Sequence, residues 1–203
     1  MADGLFLVVE GIDGAGTTTQ ARLLADWLRA GGRRVVLTAE PTDGPVGRVI
    51  RDILRGRMVA GGEEAMALLF AADRALHLHQ TVLPAVREGA IVVSDRHYLS
   101  SLAYQGVETE MDWVALLNSK FPRPDLTMLL DIPAEVALAR KAADGGEPER
   151  YEQRAYLEKV RANYLEAARR ARAAGERVET LDASKSIEEV QAALRHLVAP
   201  LLP

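Results

Sequence analysis

The chain has 203 residues, 48% of them hydrophobic and 27% charged, with a formal net charge of −4. That length and apolar content suffice for the core of one domain spanning residues 1–203, while interspersed acidic and basic residues argue against a surface for nucleic-acid polymers or anionic membranes. Cysteine is absent, which excludes disulfides and thiolate metal sites. With no basic, apolar leader and no apolar run of membrane-spanning length, the expectation is a cytoplasmic protein that acts on a small molecule.

In chain order, Leu5–Val9 reads as a buried strand and Ala21–Leu28 as a helix, with Gly11-Ile12-Asp13-Gly14-Ala15-Gly16-Thr17-Thr18-Thr19 between them. This stretch fits the phosphate-loop pattern at Gly11, Gly16 and Thr18: glycines let backbone N–H groups curl around phosphate oxygens, and the helix directs its positive end at them. Thr17 stands where that pattern has lysine. Gly31-Gly32 stops the helix, and Arg34–Thr38 reads as a second strand. After the turn-rich segment from Glu40 to Pro45, Val46–Leu54 has helical spacing, with Arg51 on it. A long helix is predicted over Glu63–Val86, bent near Pro84, leading into a buried strand at Ala90–Val93. Asp95-Arg96 follows that strand, where open parallel sheets bind ligands.

Tyr98–Tyr104 and Met111–Asn118 read as short helices, Leu126–Ile132 as a strand, and Ala134–Ala143 as a helix opened by Pro133. A glycine-rich break at 144–148 is flanked by Arg140, Lys141, Arg150 and Arg154. A helix over Tyr151–Ala173, a strand at Arg177–Leu181 and a helix at Ile187–Val198 complete the chain. Five strands alternating with helices predict a three-layer α/β fold around a parallel sheet.

A phosphate loop, an Asp-Arg pair at a strand end and an arginine-flanked glycine break together suit phosphoryl transfer, in which positioned positive charge stabilises the spread charge of the moving group. Arg96 can grip a phosphate as a bidentate fork, and Thr18 and Asp95 are candidates to hold magnesium.

Taken together, Glu10-Gly11-Ile12-Asp13-Gly14-Ala15-Gly16, Glu40-Pro41, Leu69-Phe70-Ala71-Ala72-Asp73-Arg74, Asp95-Arg96-His97 with Ser100, and Ala103-Tyr104-Gln105 resemble the ordered motif set of the thymidylate kinase family. The resemblance implies a P-loop NTPase fold with a five-stranded parallel sheet and a short arginine-bearing lid at about 141–152. It implies transfer of the γ-phosphate of ATP to dTMP with Mg2+, in a homodimer. It casts Asp13, Arg96, Arg140 and Arg150 as catalytic, Thr18 and Asp95 as metal-associated, and Asp13, Glu40, Arg51, Phe70, Arg74, Arg96, Ser101, Tyr104 and Gln105 as lining the acceptor site. Phe70 and Arg74 share a helix face, which suits a base stacked on Phe70 with Arg74 at its carbonyl edge. Tyr164 is an additional candidate beside the deoxyribose. Gly14 resembles the class of the family that carries glycine at this loop position and supplies arginines from the lid.

The departure is Thr17, which offers a hydroxyl but no charge. Compensation by Arg140, Lys141 or Arg150, a weakened or inactive relative that senses nucleotide, and an introduced substitution each account for it. The other acceptor-side motifs favour compensation. A kinase for another nucleoside monophosphate is the alternative enzyme.

Overall fold

The computed structural model describes residues 4–59, 61–143 and 154–202. Strands β1 (Leu5–Gly11), β2 (Val35–Ala39), β3 (Ile91–Asp95), β4 (Leu126–Asp131) and β5 (Val178–Asp182) form one sheet. Its order is β2-β3-β1-β4-β5, and every pairing is parallel. The inner strands read as almost continuous apolar runs because both of their faces are covered. Alternate residues of β1 serve the two faces: Leu7 and Val9 join the larger core, while Phe6 and Val8 join a second one with Leu78, Val82 and Val92.

The helices are α1 (Thr17–Ala30), α2 (Pro45–Leu54), α3 (Glu63–His77), α4 (Leu83–Arg87), α5 (Tyr98–Tyr104), α6 (Met111–Leu117), α7 (Ala134–Ala143), α8 (Arg154–Ala173) and α9 (Ile187–Val198). Among the described residues, no helix is long and apolar enough to cross a membrane. The chain leaves β1 toward β2 on one side, whereas β4 and β5 lie on the other. The carboxyl end of β1 is therefore a switch point, where an open α/β sheet forms its ligand crevice.

Three expectations change in ways that matter for the site. β1 continues to Gly11 and α1 begins at Thr17, so only Ile12–Gly16 is loop and Thr17, Thr18 and Thr19 occupy the first helical turn. β3 runs on to Asp95, which ends the strand instead of following it; its pairing with Val9 and Ala39 extends the ladder on both sides. The predicted helix over Glu63–Val86 is divided into α3, a π-helical turn at Leu78–Val82, and α4. Pro84 has no N–H for a bond four residues back, and the wider turn ahead of it accommodates that loss.

Candidate active site

Gly14 and Gly16 have φ of 87° and 88°, the left-handed region that glycine enters without penalty. Gly16 turns the chain into α1, leaving first-turn N–H groups without intrahelical acceptors and facing a cleft. Gly14 has a second reason to lack a side chain: a Cβ there would stand 2.4 Å from the Ala137 carbonyl oxygen, so α7 packs directly on the loop. Thr18 Oγ1 donates to Asp95 Oδ2 at 2.5 Å, tying the start of α1 to the end of β3. The other carboxylate oxygen of Asp95, Oδ1, is buried without a hydrogen-bond partner.

Arg96 is the one non-glycine residue with positive φ among the described residues, at 75°. Such a backbone costs energy and persists where neighbours hold it. Its N–H donates to the Val9 carbonyl at 2.8 Å, and its carbonyl accepts from Ser94 Oγ at 2.8 Å. One residue on, the His97 N–H donates to Glu10 Oε1 at 2.9 Å. The turn aims the Arg96 guanidinium at the Asp13 carboxylate and over the Tyr104 ring, 5.2 Å from its centroid. Tyr104 also accepts from the Asp13 N–H at 2.9 Å. Burial alone would push the Asp13 carboxyl up, but Arg96, with Lys141 adding to it, outweighs burial and holds it below the ordinary value.

Glu10 supports this turn from beneath. Its carboxyl accepts from Ser100 Oγ at 2.5 Å and Tyr164 Oη at 3.2 Å as well as from His97. Burial pushes it up to about 7, against the hydrogen bond from Ser100 and the charge of Arg96.

On the opposite wall, the guanidinium of Arg74 is 1% exposed and every nitrogen of it is engaged. Nε donates to Glu40 Oε2 at 2.9 Å, Nη1 to Ser101 Oγ at 3.1 Å and Asn118 Oδ1 at 2.5 Å, and Nη2 to the His97 carbonyl at 3.0 Å. His77 and His97 each place Nδ1 near Glu40 Oε1, at 2.9 and 3.1 Å. Burial disfavours a charged Glu40, yet Arg74 and the two histidines hold its carboxyl far below the usual range. The segment after Glu40 is pinned as well: Asp73 accepts from the Thr42 N–H and hydroxyl, and Arg51 donates to the Pro41 and Thr42 carbonyls.

These walls enclose two clefts. One, of about 270 Å3, is lined by Asp13, Glu40, Arg51, Phe70, Arg74, Arg96, Ser101, Tyr104 and Gln105, all nine residues that the sequence assigns to an acceptor. The other runs along Asp13–Gln20 and is closed by Arg140, Lys141 and the 183–187 segment. Asp13, Thr18 and Arg96 line both, so the clefts meet at the head of the loop. Gly11 and Ile12 are buried under it rather than exposed in either cleft.

Other assignments resolve differently. Arg74 lines the first cleft, but its nitrogens serve Glu40, Ser101, Asn118 and His97, so it acts as an internal strut. Tyr164 is 1% exposed and bonds Ser100 and Glu10, so it supports α5 instead of reaching a ligand. Arg140 donates to the carbonyls of Ala183, Ser184 and Lys185, fastening α7 to that segment. Arg150, most of the expected lid and the helix start at Tyr151 lie outside the described residues. Sequence reading missed the structural roles of Glu10, His77, Asp73 and Asn118. For Glu10 a signal existed, a carboxylate at the end of an otherwise apolar strand, which needs buried donors.

A strand, glycine loop and helix at the switch point of a parallel sheet, with a second cleft opening onto the loop head, define a P-loop phosphate-binding α/β protein. Comparison with known families sharpens this: the profile described as thymidylate kinase matches residues 9–194, and the chain belongs to that family. It is 44% identical over 192 residues to the "Probable thymidylate kinase" of Pyrococcus abyssi, covering 92% of each chain. It is also 44% identical over 195 residues to that of Pyrobaculum aerophilum, covering 95% of each. Identity to the "Thymidylate kinase" of Symbiobacterium thermophilum is 40% over 209 residues, covering 98% of this chain and 94% of the other.

Proposed function

We infer that this protein is a dTMP kinase that moves the γ-phosphoryl group of ATP onto dTMP, giving dTDP and ADP. The observation that carries the reading is the meeting of an acceptor cleft and a phosphate-loop cleft at Asp13, Thr18 and Arg96. An oxygen of the dTMP phosphate bonds to the γ-phosphorus while the bond from that phosphorus to the bridging oxygen of ADP breaks. The work of the protein is to place these oxygens and stabilise their charge.

In this reading Arg96 grips the acceptor phosphate, and Asp13 fixes the orientation of Arg96 through their ion pair. Phe70 supplies a face for the base, with Ser101 and Gln105 as polar groups beside it. The backbone N–H groups of Gly14–Thr19 hold the donor phosphates. The Thr18 hydroxyl and Asp95 fit a magnesium site, because the orphaned Asp95 Oδ1 is an anionic oxygen in need of a cation or its water. When bound there, magnesium neutralises charge on the donor phosphates.

Residues 1–203 form a single kinase domain in this reading; most of the lid expected at about 141–152, with Arg150, lies outside the described residues. A homodimer is supported by Leu68, Ala72 and Leu76, which are exposed at four-residue spacing along α3. A cytoplasmic location fits an enzyme supplied with ATP.

The deciding experiment measures ADP formation with ATP, Mg2+ and dTMP, alongside dUMP, dCMP and dGMP. Strong dTMP-dependent turnover is expected. Preference for another monophosphate would overturn the substrate assignment, and nucleotide binding without turnover would overturn the assignment as an enzyme.

A further inference from the structure

Thr17, buried in the first turn of α1, leaves the phosphate loop without the lysine that its motif supplies. We propose that Lys141, reaching the loop from the last turn of α7, supplies the missing charge to the donor phosphates. The proposal rests on the dTMP kinase reading and adds to it the residue that replaces the loop lysine.

The backbone carries the geometry. Ala137 presents its carbonyl to Gly14 so closely that no Cβ fits there. Lys141 lies four residues further along α7, one helical turn on from that contact. It lines the same cleft as Thr17 and is partly buried. Its charge is felt at Asp13, inside the loop.

Two further cations line the same cleft. Arg140 binds the carbonyls of Ala183, Ser184 and Lys185. Lys185 lines the cleft from the 183–187 segment. A lysine is also the right chemistry, because an ammonium on a long stem can follow phosphates as a mobile point charge. The glycine at position 14 then has a function beyond its φ: it lets α7 approach near enough for a helix lysine to replace a loop lysine.

The test combines Lys141→Ala, Lys141→Arg, Thr17→Lys and the double variant Thr17→Lys/Lys141→Ala, with Lys120→Ala as a surface-charge control. Two quantities are read, steady-state turnover and calorimetric affinity for a non-hydrolysable ATP analogue. Lys141→Ala is expected to lower kcat/KM for ATP by about a hundred- to a thousandfold, the usual loss on removing a preorganised donor. The KM for dTMP should change less than threefold and analogue affinity should fall. Lys141→Arg should retain much of the activity, and Thr17→Lys should restore it in the Lys141→Ala background. Activity and affinity of Lys141→Ala within twofold of wild type would overturn the proposal, as would a loss that neither Thr17→Lys nor Lys141→Arg repairs. If the wild type shows no dTMP turnover, the parent reading fails by itself, and analogue affinity still decides the role of Lys141.

Discussion

Replacing Arg74 by methionine keeps a long stem and removes the guanidinium. Arg74 and Glu40 are 1% and 3% exposed in their side chains and 2.8 Å apart at Nη2 and Oε2, so the carboxylate would lose its main counter-charge in a place water hardly reaches. Breaking a buried ion pair by removing one partner costs about 3–5 kcal/mol. Asn118 Oδ1 and the His97 carbonyl also lose donors, which places this case toward the upper end. For a domain of this length, each kcal/mol lowers Tm by roughly 2–4 °C, so a drop of roughly 6–20 °C is expected.

The pH dependence separates charge from packing. In the folded protein the Glu40 carboxyl is held well below its ordinary 4.5, so it contributes stability that is present above that pH and is lost as pH falls toward its folded value. In Arg74→Met this acid-side slope should shrink or reverse, because the carboxyl is then buried without its main partner. A second change, Glu40→Gln, should be worth less in the Arg74→Met background than in the wild type, with a coupling of about 1–3 kcal/mol. Urea unfolding of the ligand-free protein from pH 3 to 8 measures all of these. A loss below about 1 kcal/mol at pH 7, or an unchanged acid slope, would refute the strut assignment.

Arg96→Lys keeps the charge but loses the fork and the grip on Asp13; kcat/KM for dTMP should fall by about a hundredfold or more while KM for ATP changes little, and equal losses for both substrates would contradict its acceptor role. Gly14→Ala forces a Cβ against the Ala137 carbonyl at a φ of 87°, so it should destabilise by about 2–4 kcal/mol and raise KM for ATP by displacing α7. A fully stable Gly14→Ala would mean that the loop and α7 are not in contact. Glu10 gives the opposite pH signature to Glu40. With a folded value raised to about 7, the native state holds its proton more tightly, so this stabilisation is complete below the ordinary 4.5 and is lost as pH rises through 7. The loss amounts to about 3 kcal/mol at most, and Glu10→Gln should flatten unfolding free energy across that window. An unchanged slope would show that Glu10 titrates elsewhere.

The phosphate loop was legible in the sequence because it lies within a few residues. A glycine pattern between an apolar strand and a helix, or Phe70 and Arg74 one helical turn apart, follows from local spacing. The fold class was legible for the same reason, since five apolar runs alternating with helical periodicity leave few arrangements other than a parallel three-layer sheet. Only the tertiary structure decided which polar residues line the clefts and which bond one another. Arg74 became a strut because Glu40, Ser101, His97 and Asn118, from separate elements, converge on its guanidinium. Tyr164 turned inward because Glu10 and Ser100 stand opposite it. Arg140 and Lys141 are adjacent in sequence and line the same cleft, yet Arg140 fastens to the 183–185 carbonyls while the charge of Lys141 acts on Asp13. A helix turns about 100° per residue, so neighbouring side chains point to different partners, and what those partners are depends on the packing of distant segments.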